Sequence, residues 1–198
     1  MSTEAQRLDY PLGEQSMVLD LGAYVGNFST HVVQKFGCTS IAFEPMPQAF
    51  AQIPEAWKYE TSRITAFPYG VGAKTERVRM AFTNDSSSQF TPHSAADPEV
   101  LIRDVVEVFD ELDIGNVDLM KINIEGGEYA LLERMDEAGM LARVRFLQIQ
   151  FHSCGAGPQG CVKHRLAIRE TLDKTHREQW CWDHCWPGVW TWESWERR

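Results

Sequence analysis

The chain has 198 residues, of which 43% are hydrophobic, 24% charged and 11% aromatic. That supports one substantial core and excludes a disordered, collagen-like or coiled-coil chain. Nineteen Lys and Arg against 28 Asp and Glu leave a net charge of -9, and with no basic patch in view such a surface repels phosphate backbones, so nucleic acid is not an expected partner.

The first sixteen residues carry charges and no apolar run, so no secretory signal is expected, and no stretch reaches the roughly 18 apolar residues of a membrane span. Five scattered cysteines read as reduced thiols, and a cytoplasmic location is expected. Met17 to Leu21 is a short apolar run closed by Gly22, which predicts a strand buried on both faces. Phe28, Val32, Val33 and Phe36 then recur at helical spacing, with Gly37 as a stop. Thr39 to Glu44 predicts a second strand ended by Pro45, followed by a helix from about Gln48 to Ile53 that Pro54 breaks. Ile64 to Phe67 predicts a third strand, and Arg77 to Phe82 alternates like a half-exposed one.

Thr83 to Pro98 is polar and Ser-rich and reads as a long surface loop. Val117 to Ile124 predicts the next strand, interrupted by Gly126-Gly127, and a helix with Leu131, Leu132, Met135 and Ala138 on one face stops near Gly139. Val144 to Phe151 predicts a strand, and Val162, Leu166, Ile168 and Leu172 mark a last helix. From Gln179 to Trp195 aromatic and polar residues alternate around Pro187-Gly188, a hairpin signal. Strands separated by helices predict an open, doubly wound α/β sheet that is mostly parallel, with the hairpin adding antiparallel strands at one edge.

In such sheets ligands sit beyond the carboxyl ends of the strands, next to the first one. There the sequence places Asp20, Gly22, Ala23, Tyr24, Gly26 and Asn27. Gly22 allows a tight turn with close backbone approach, and the free N–H groups of the next helix can take a negative group such as a carboxylate. Asp20 offers a counter-charge for an ammonium. Glu44, ending the second strand, suits the two hydroxyls of a ribose. Ala23-Tyr24 interrupts the dinucleotide glycine pattern, and Asp20 would repel a pyrophosphate. An adenosine carrying an amino acid fits better, which points to S-adenosylmethionine, with S-adenosylhomocysteine as product. A nicotinamide-dependent reductase is the distant alternative.

The segments VLDLGAYVGNFS (Val18 to Ser29), IAFEPMPQAF (Ile41 to Phe50) and VDLMKINIEGGEYALL (Val117 to Leu132) resemble the successive motifs of the FkbM family of methyltransferases. Weaker matches are Gly70-Val71-Gly72, Ser86-Ser87-Ser88 and FLQIQFH (Phe146 to His152). The resemblance implies a seven-stranded, Rossmann-like methyltransferase sheet and methyl transfer, usually to a hydroxyl of a small molecule or glycan. It implies cofactor contacts at Asp20, Gly22, Gly26 and Glu44, with Ala23, Tyr24, Asn27, Pro45 and Asn123 beside them, and an adenine edge met near Tyr69, Gly70 and Val71. Lys121, Glu125 and Glu128 match the block on the acceptor side. On this reading the chain is one domain over residues 1–198: a lead-in at 1–16, a cofactor-binding half at 17–82, the loop at 83–98 and an acceptor-side half with the hairpin at 99–198. Only sixteen residues precede the first strand, so an N-terminal helix over the acceptor is expected to be missing or reduced.

Two positions depart from the family pattern: Asn123 stands where Asp is usual, and Gln150 where Glu is usual. Each removes a negative charge near the transfer point, which also motivates a reading as a cofactor-binding module with weak catalysis. His152 and Glu125 remain as candidate bases. For each there is a plainer reading: His152 bonded to backbone at a strand end, and Glu125 capping the following helix. Lys121 can act in the chemistry, or lie beneath the site paired with Glu128 or another carboxylate. His152, Cys154, Cys161 and His164, and His176, Cys181, His184 and Cys185, are zinc-capable but lack paired C-x2-C spacing, so no metal is expected. The tryptophans at 180, 182, 186, 190, 192 and 195 fill the hairpin core or form a stacking wall, and the same tail could cover an edge in a homodimer.

Overall fold

A computed structural model of the chain describes residues 3–54, 63–83, 86–88, 97–153, 155–183 and 191–198. After a short helix α1 (Thr3–Gln6) come β1 (Met17–Leu21), α2 (Asn27–Phe36), β2 (Thr39–Phe43), α3 (Pro47–Phe50) and β3 (Ile64–Phe67). Five short strands follow: β4 (Gly70–Gly72), β5 (Glu76–Arg79), β6 (Ala81–Thr83), β7 (Ser86–Ser88) and β8 (Glu99–Asp104). The chain continues through α4 (Val105–Glu111), β9 (Val117–Ile122), α5 (Glu128–Glu137), a 3-10 turn at Met140–Arg143, β10 (Val144–Phe151), α6 (Gly157–Leu172), β11 (His176–Asp183) and β12 (Thr191–Arg197).

The main sheet has seven strands in the order β11-β12-β10-β9-β1-β2-β3. From β3 to β10 the strands run parallel. The C-terminal hairpin is present, but only β12 runs against its neighbours: β11 pairs antiparallel to β12, which pairs antiparallel to β10, so β11 points with the rest. Helix α6 carries the chain past the sheet edge, and β12 then turns back into the gap beside β10.

Period-two alternation sorts the central strand. Leu19 and Leu21 enter one apolar layer with Met120, Ile122, Leu132 and Leu147, while Val18 faces Val32 and Cys38 on the α2 side. Asp20, on that same side, is brought against α2, where Ser29 meets it.

Several expectations need correction. The single strand expected over Arg77 to Phe82 is two strands, β5 and β6, separated at Met80. Part of the expected Ser-rich loop is ordered, since β7 pairs with β6; residues 84–85 and 89–96 lie outside the described ones. A second sheet, β4-β8-β5, forms beside the first and carries one wall of the cleft described below. The strand β8 and helix α4 had not been expected. Their signal is local: Asp104 caps α4 by accepting Val106 N–H at 2.8 Å, and Val105, Val108 and Phe109 bury one face. In α6 the buried stripe is Cys161, Arg165, Ile168 and Leu172, whereas Leu166 is 55% exposed. Arg165 takes an inward position because Glu193 on β12 accepts its Nε–H at 2.6 Å. No helix among the described residues is long and apolar enough to cross a membrane.

Candidate functional site

At the carboxyl end of β1 the chain turns sharply away. Gly22 adopts φ 77°, and a Cβ there would lie 1.9 Å from the Asn123 carbonyl oxygen, so only glycine fits between the β1 and β9 ends. Gly26 caps α2 in the left-handed region (φ 86°) without a side-chain cap, leaving that helix end to other partners. Tyr24 also has positive φ (55°) and aims its N–H at Glu44 Oε2, 2.7 Å away.

Glu44 is 6% exposed and accepts a second backbone bond, from Met46 N–H to Oε1 at 2.8 Å. Burial pushes its carboxyl up from the ordinary 4.5 to about 7, against the pull of those two N–H groups. Glu44 opens onto a cleft of about 1070 Å³, counting its solvent-filled mouth. Gly22, Tyr24, Pro45, Gly70, Val71 and Asn123 line it as well. Its far end is apolar, with Met46, Ala49, Val78, Met80 and Ile102. Those five were not singled out as cleft residues in the sequence, because three of them, Ala49 on α3 and Val78 and Ile102 on the second sheet, reach the cleft from elements whose position beside the β1 end periodicity does not fix. Asn123 Oδ1 is buried and without a hydrogen-bond partner among the described residues, so the cleft wall holds an acceptor for a ligand donor.

Other expected contacts stand back from the cleft. Asp20 is fully buried, and its two oxygens accept from Ser29 Oγ at 2.8 Å and Lys121 Nζ at 2.9 Å. It therefore does not present a carboxylate to an ammonium, and as one half of an ion pair it is a poor repeller of pyrophosphate. Ala23 packs with Ala42, Ile53 and Ala66; Gly26 is buried at the helix start, and Asn27 is exposed on α2. Lys121 is 4% exposed and, besides Asp20, donates to the Gly22 carbonyl at 2.7 Å. It lies beneath the site, and its carboxylate partner is Asp20, not Glu128.

On the β9–α5 side, Glu125 adopts φ 55° and lines the cleft. The cap position of α5 is Gly127, which has no side chain to bond the free N–H groups. Glu128 holds the turn instead, accepting Ile124 N–H at 3.0 Å and Gly126 N–H at 2.9 Å. His152, 3% exposed just past β10, places Nδ1 2.8 Å from Glu128 Oε1 and Nε2 3.5 Å from Glu125 Oε1. Burial pulls the His152 pKa down, but the Glu128 and Glu125 carboxylates outweigh it and leave it above the ordinary 6.5.

The remaining candidates lie elsewhere. Gln150 is half-buried on β10 opposite Trp192. Trp192 and Trp195 are buried, Trp180 and Trp182 stack with centroids 4.3 Å apart, and no tryptophan among the described residues lines the cleft. Trp186 and Trp190 lie outside the described residues. His164 contacts Glu133 at 2.7 Å, His176 contacts the Val144 carbonyl at 3.1 Å, Cys161 lies 3.9 Å from Ser153 Oγ, and Cys181 accepts from Arg165. Cys154, His184 and Cys185 lie outside the described residues.

Comparison with known proteins follows the same outline. The family model of the methyltransferase FkbM domain matches residues 20–177. No curated protein matches the sequence significantly. Among solved structures, a putative rRNA methylase from Clostridium thermocellum is similar with a TM-score of 0.57 at 10% identity, covering 100% of this chain and 96% of that one. TrmK of M. capricolum, solved with its cofactor product S-adenosyl-homocysteine, has a TM-score of 0.56 at 9% identity, covering 100% and 69%. An rRNA methylase from Streptococcus thermophilus gives 0.53 at 13% identity, covering 94% and 89%. At these identities the likeness is one of fold.

Proposed function

The chain belongs to the FkbM family of methyltransferases, and from that premise we propose that it methylates a hydroxyl of a small molecule or sugar, with S-adenosylmethionine as its cofactor. One observation carries the reading: the cleft has a buried carboxylate and a glycine turn at the β2 and β1 ends, and beside them, after β9, an amide oxygen unpartnered among the described residues and Glu125 backed by His152. The donor set fits the cofactor. Glu44 accepts from the ribose hydroxyls, Pro45, Gly70 and Val71 border the adenine, and the Gly22–Gly26 turn and α2 end receive the carboxylate. Asn123 Oδ1, in place of Asp20, accepts from the ammonium.

When bound, S-adenosylmethionine supplies a methyl group activated by its sulfonium. The protein's task is then alignment and exclusion of water. A hydroxyl must lose its proton as its oxygen takes the methyl group. Glu125 faces the cleft and receives that proton, and His152, with Nε2 3.5 Å behind it, steadies the carboxylate when the ring is protonated at both nitrogens; such general-base help is worth typically 10²- to 10⁴-fold. Lys121 acts beneath the site, clamping Asp20 and the Gly22 carbonyl so that the turn keeps its shape. The net charge of -9 favours a neutral or cationic acceptor over a nucleic acid, although the similar folds named above include RNA methylases.

Calorimetric titration with S-adenosylhomocysteine beside NADH tests the cofactor, with micromolar binding of the first alone expected. Transfer of labelled methyl from S-adenosylmethionine to a panel of hydroxylated small molecules, with an RNA arm, tests the acceptor. Binding without transfer to any acceptor would favour the cofactor-binding module; transfer to RNA alone would overturn the small-acceptor reading; NADH binding alone would revive a reductase.

A further inference from the structure

Glu128 is fully buried at the first position of α5, and it is engaged by three donors from two separate parts of the chain. Its Oε1 meets Ile124 N–H and His152 Nδ1, and its Oε2 meets Gly126 N–H. Those two amides bracket Glu125, so the carboxylate clasps the turn that presents Glu125 to the cleft. The next residue along the helix holds His152 from its other end: Tyr129 Oη donates to the His152 carbonyl at 2.8 Å. The first two residues of one helix therefore grip both the ring and the backbone of His152.

We infer that Glu128 is a positioning residue, whose carboxylate keeps a proton on His152 Nδ1, turns Nε2 toward Glu125, and holds Glu125 at the cleft wall. The inference rests on the assignment of Glu125 and His152 to the acceptor's proton. Its physical basis is the inventory of partners. Both Glu128 oxygens already accept backbone N–H groups, so the ring nitrogen beside Oε1 must donate. A ring held through Nδ1–H has its Nε2 aimed outward, and the geometry puts Glu125 there. The charged groups that act on the ring are Glu128 from α5, Glu125 from the turn and Lys121 from β9, the last opposing the other two. A buried carboxylate in direct contact favours the protonated ring.

The test is imidazole ¹⁵N spectroscopy of the full chain across pH, with the His152 signals assigned by their loss in His152→Gln. In the wild type, the neutral ring above its midpoint is expected in the Nδ1–H form, and in Glu128→Gln the midpoint falls. A wild-type ring in the Nε2–H form would overturn the proposal, and so would a folded Glu128→Gln with unchanged midpoint and tautomer. If Glu128→Gln does not fold, the wild-type tautomer still decides. A carboxylate serving stability alone would lower the melting temperature on substitution without moving either signature. Failure of S-adenosylhomocysteine to bind the wild type would undo the cofactor reading and leave these spectra to decide Glu128 separately.

Discussion

Glu44 makes cofactor affinity a function of pH. Each of its oxygens already accepts one backbone N–H, from Tyr24 and from Met46. A carboxylate offers about four lone-pair sites, so the two ribose hydroxyls take the remaining pair, and a bound proton removes one of them. With the group titrating at about 7, roughly nine-tenths is ionised at pH 8 and roughly one-tenth at pH 6, so apparent affinity falls about tenfold between them, or about 1.4 kcal/mol. Stability of the ligand-free protein runs the other way. The folded-state pKa lies above its ordinary 4.5, so the folded state binds the proton more tightly, and stability declines as pH rises between those values, by on the order of 3 kcal/mol once above the upper one. Calorimetric titration with S-adenosylhomocysteine and urea unfolding, both run from about pH 5 to 8, read the two slopes. In Glu44→Gln both slopes flatten, with an added offset because one of the Tyr24 and Met46 N–H groups loses its acceptor, about 1–3 kcal/mol. Affinity that is flat across this range in the wild type and equal in Glu44→Gln would refute the ribose assignment.

Three further outcomes are expected. Lys121→Met leaves the buried Asp20 carboxylate without its cation and costs about 3–5 kcal/mol in urea unfolding, with much of the loss restored in Lys121→Met/Asp20→Asn; a cost below about 1 kcal/mol would show that the pair does not hold the turn. Gly22→Ala carries the left-handed backbone penalty of about 1–2 kcal/mol and a clash with the Asn123 carbonyl, so thermal unfolding shifts down and S-adenosylhomocysteine binding is lost; an unchanged melting temperature would contradict the turn geometry. On α6, Leu166→Gln changes stability by less than about 0.5 kcal/mol and Ile168→Ala lowers it by about 2–5 kcal/mol, and the reverse ranking would put the other helix face inward.

Local order in this chain was readable wherever neighbours in sequence are also neighbours in space. The run Met17 to Leu21, the helix stop at Gly37 and the strand Val144 to Phe151 occur as expected, because period-two and period-3.6 burial is written in adjacent residues. Gly22 and Glu44 stood out for the same reason, each at the end of a buried strand. What the side chains do at those ends is set by strand register between distant segments. Asp20 and Lys121 are 101 residues apart and meet because β1 and β9 pair side by side, so a residue expected to face a ligand is spent on an ion pair. Arg165 turns inward on α6 because Glu193 comes from a strand inserted beyond β10. Glu128 meets His152 across 24 residues because α5 begins beside the end of β10. Hydrophobic periodicity places a face toward the core, but the partner of a buried charge is chosen by whichever segment packs there, and that choice belongs to the assembled sheet.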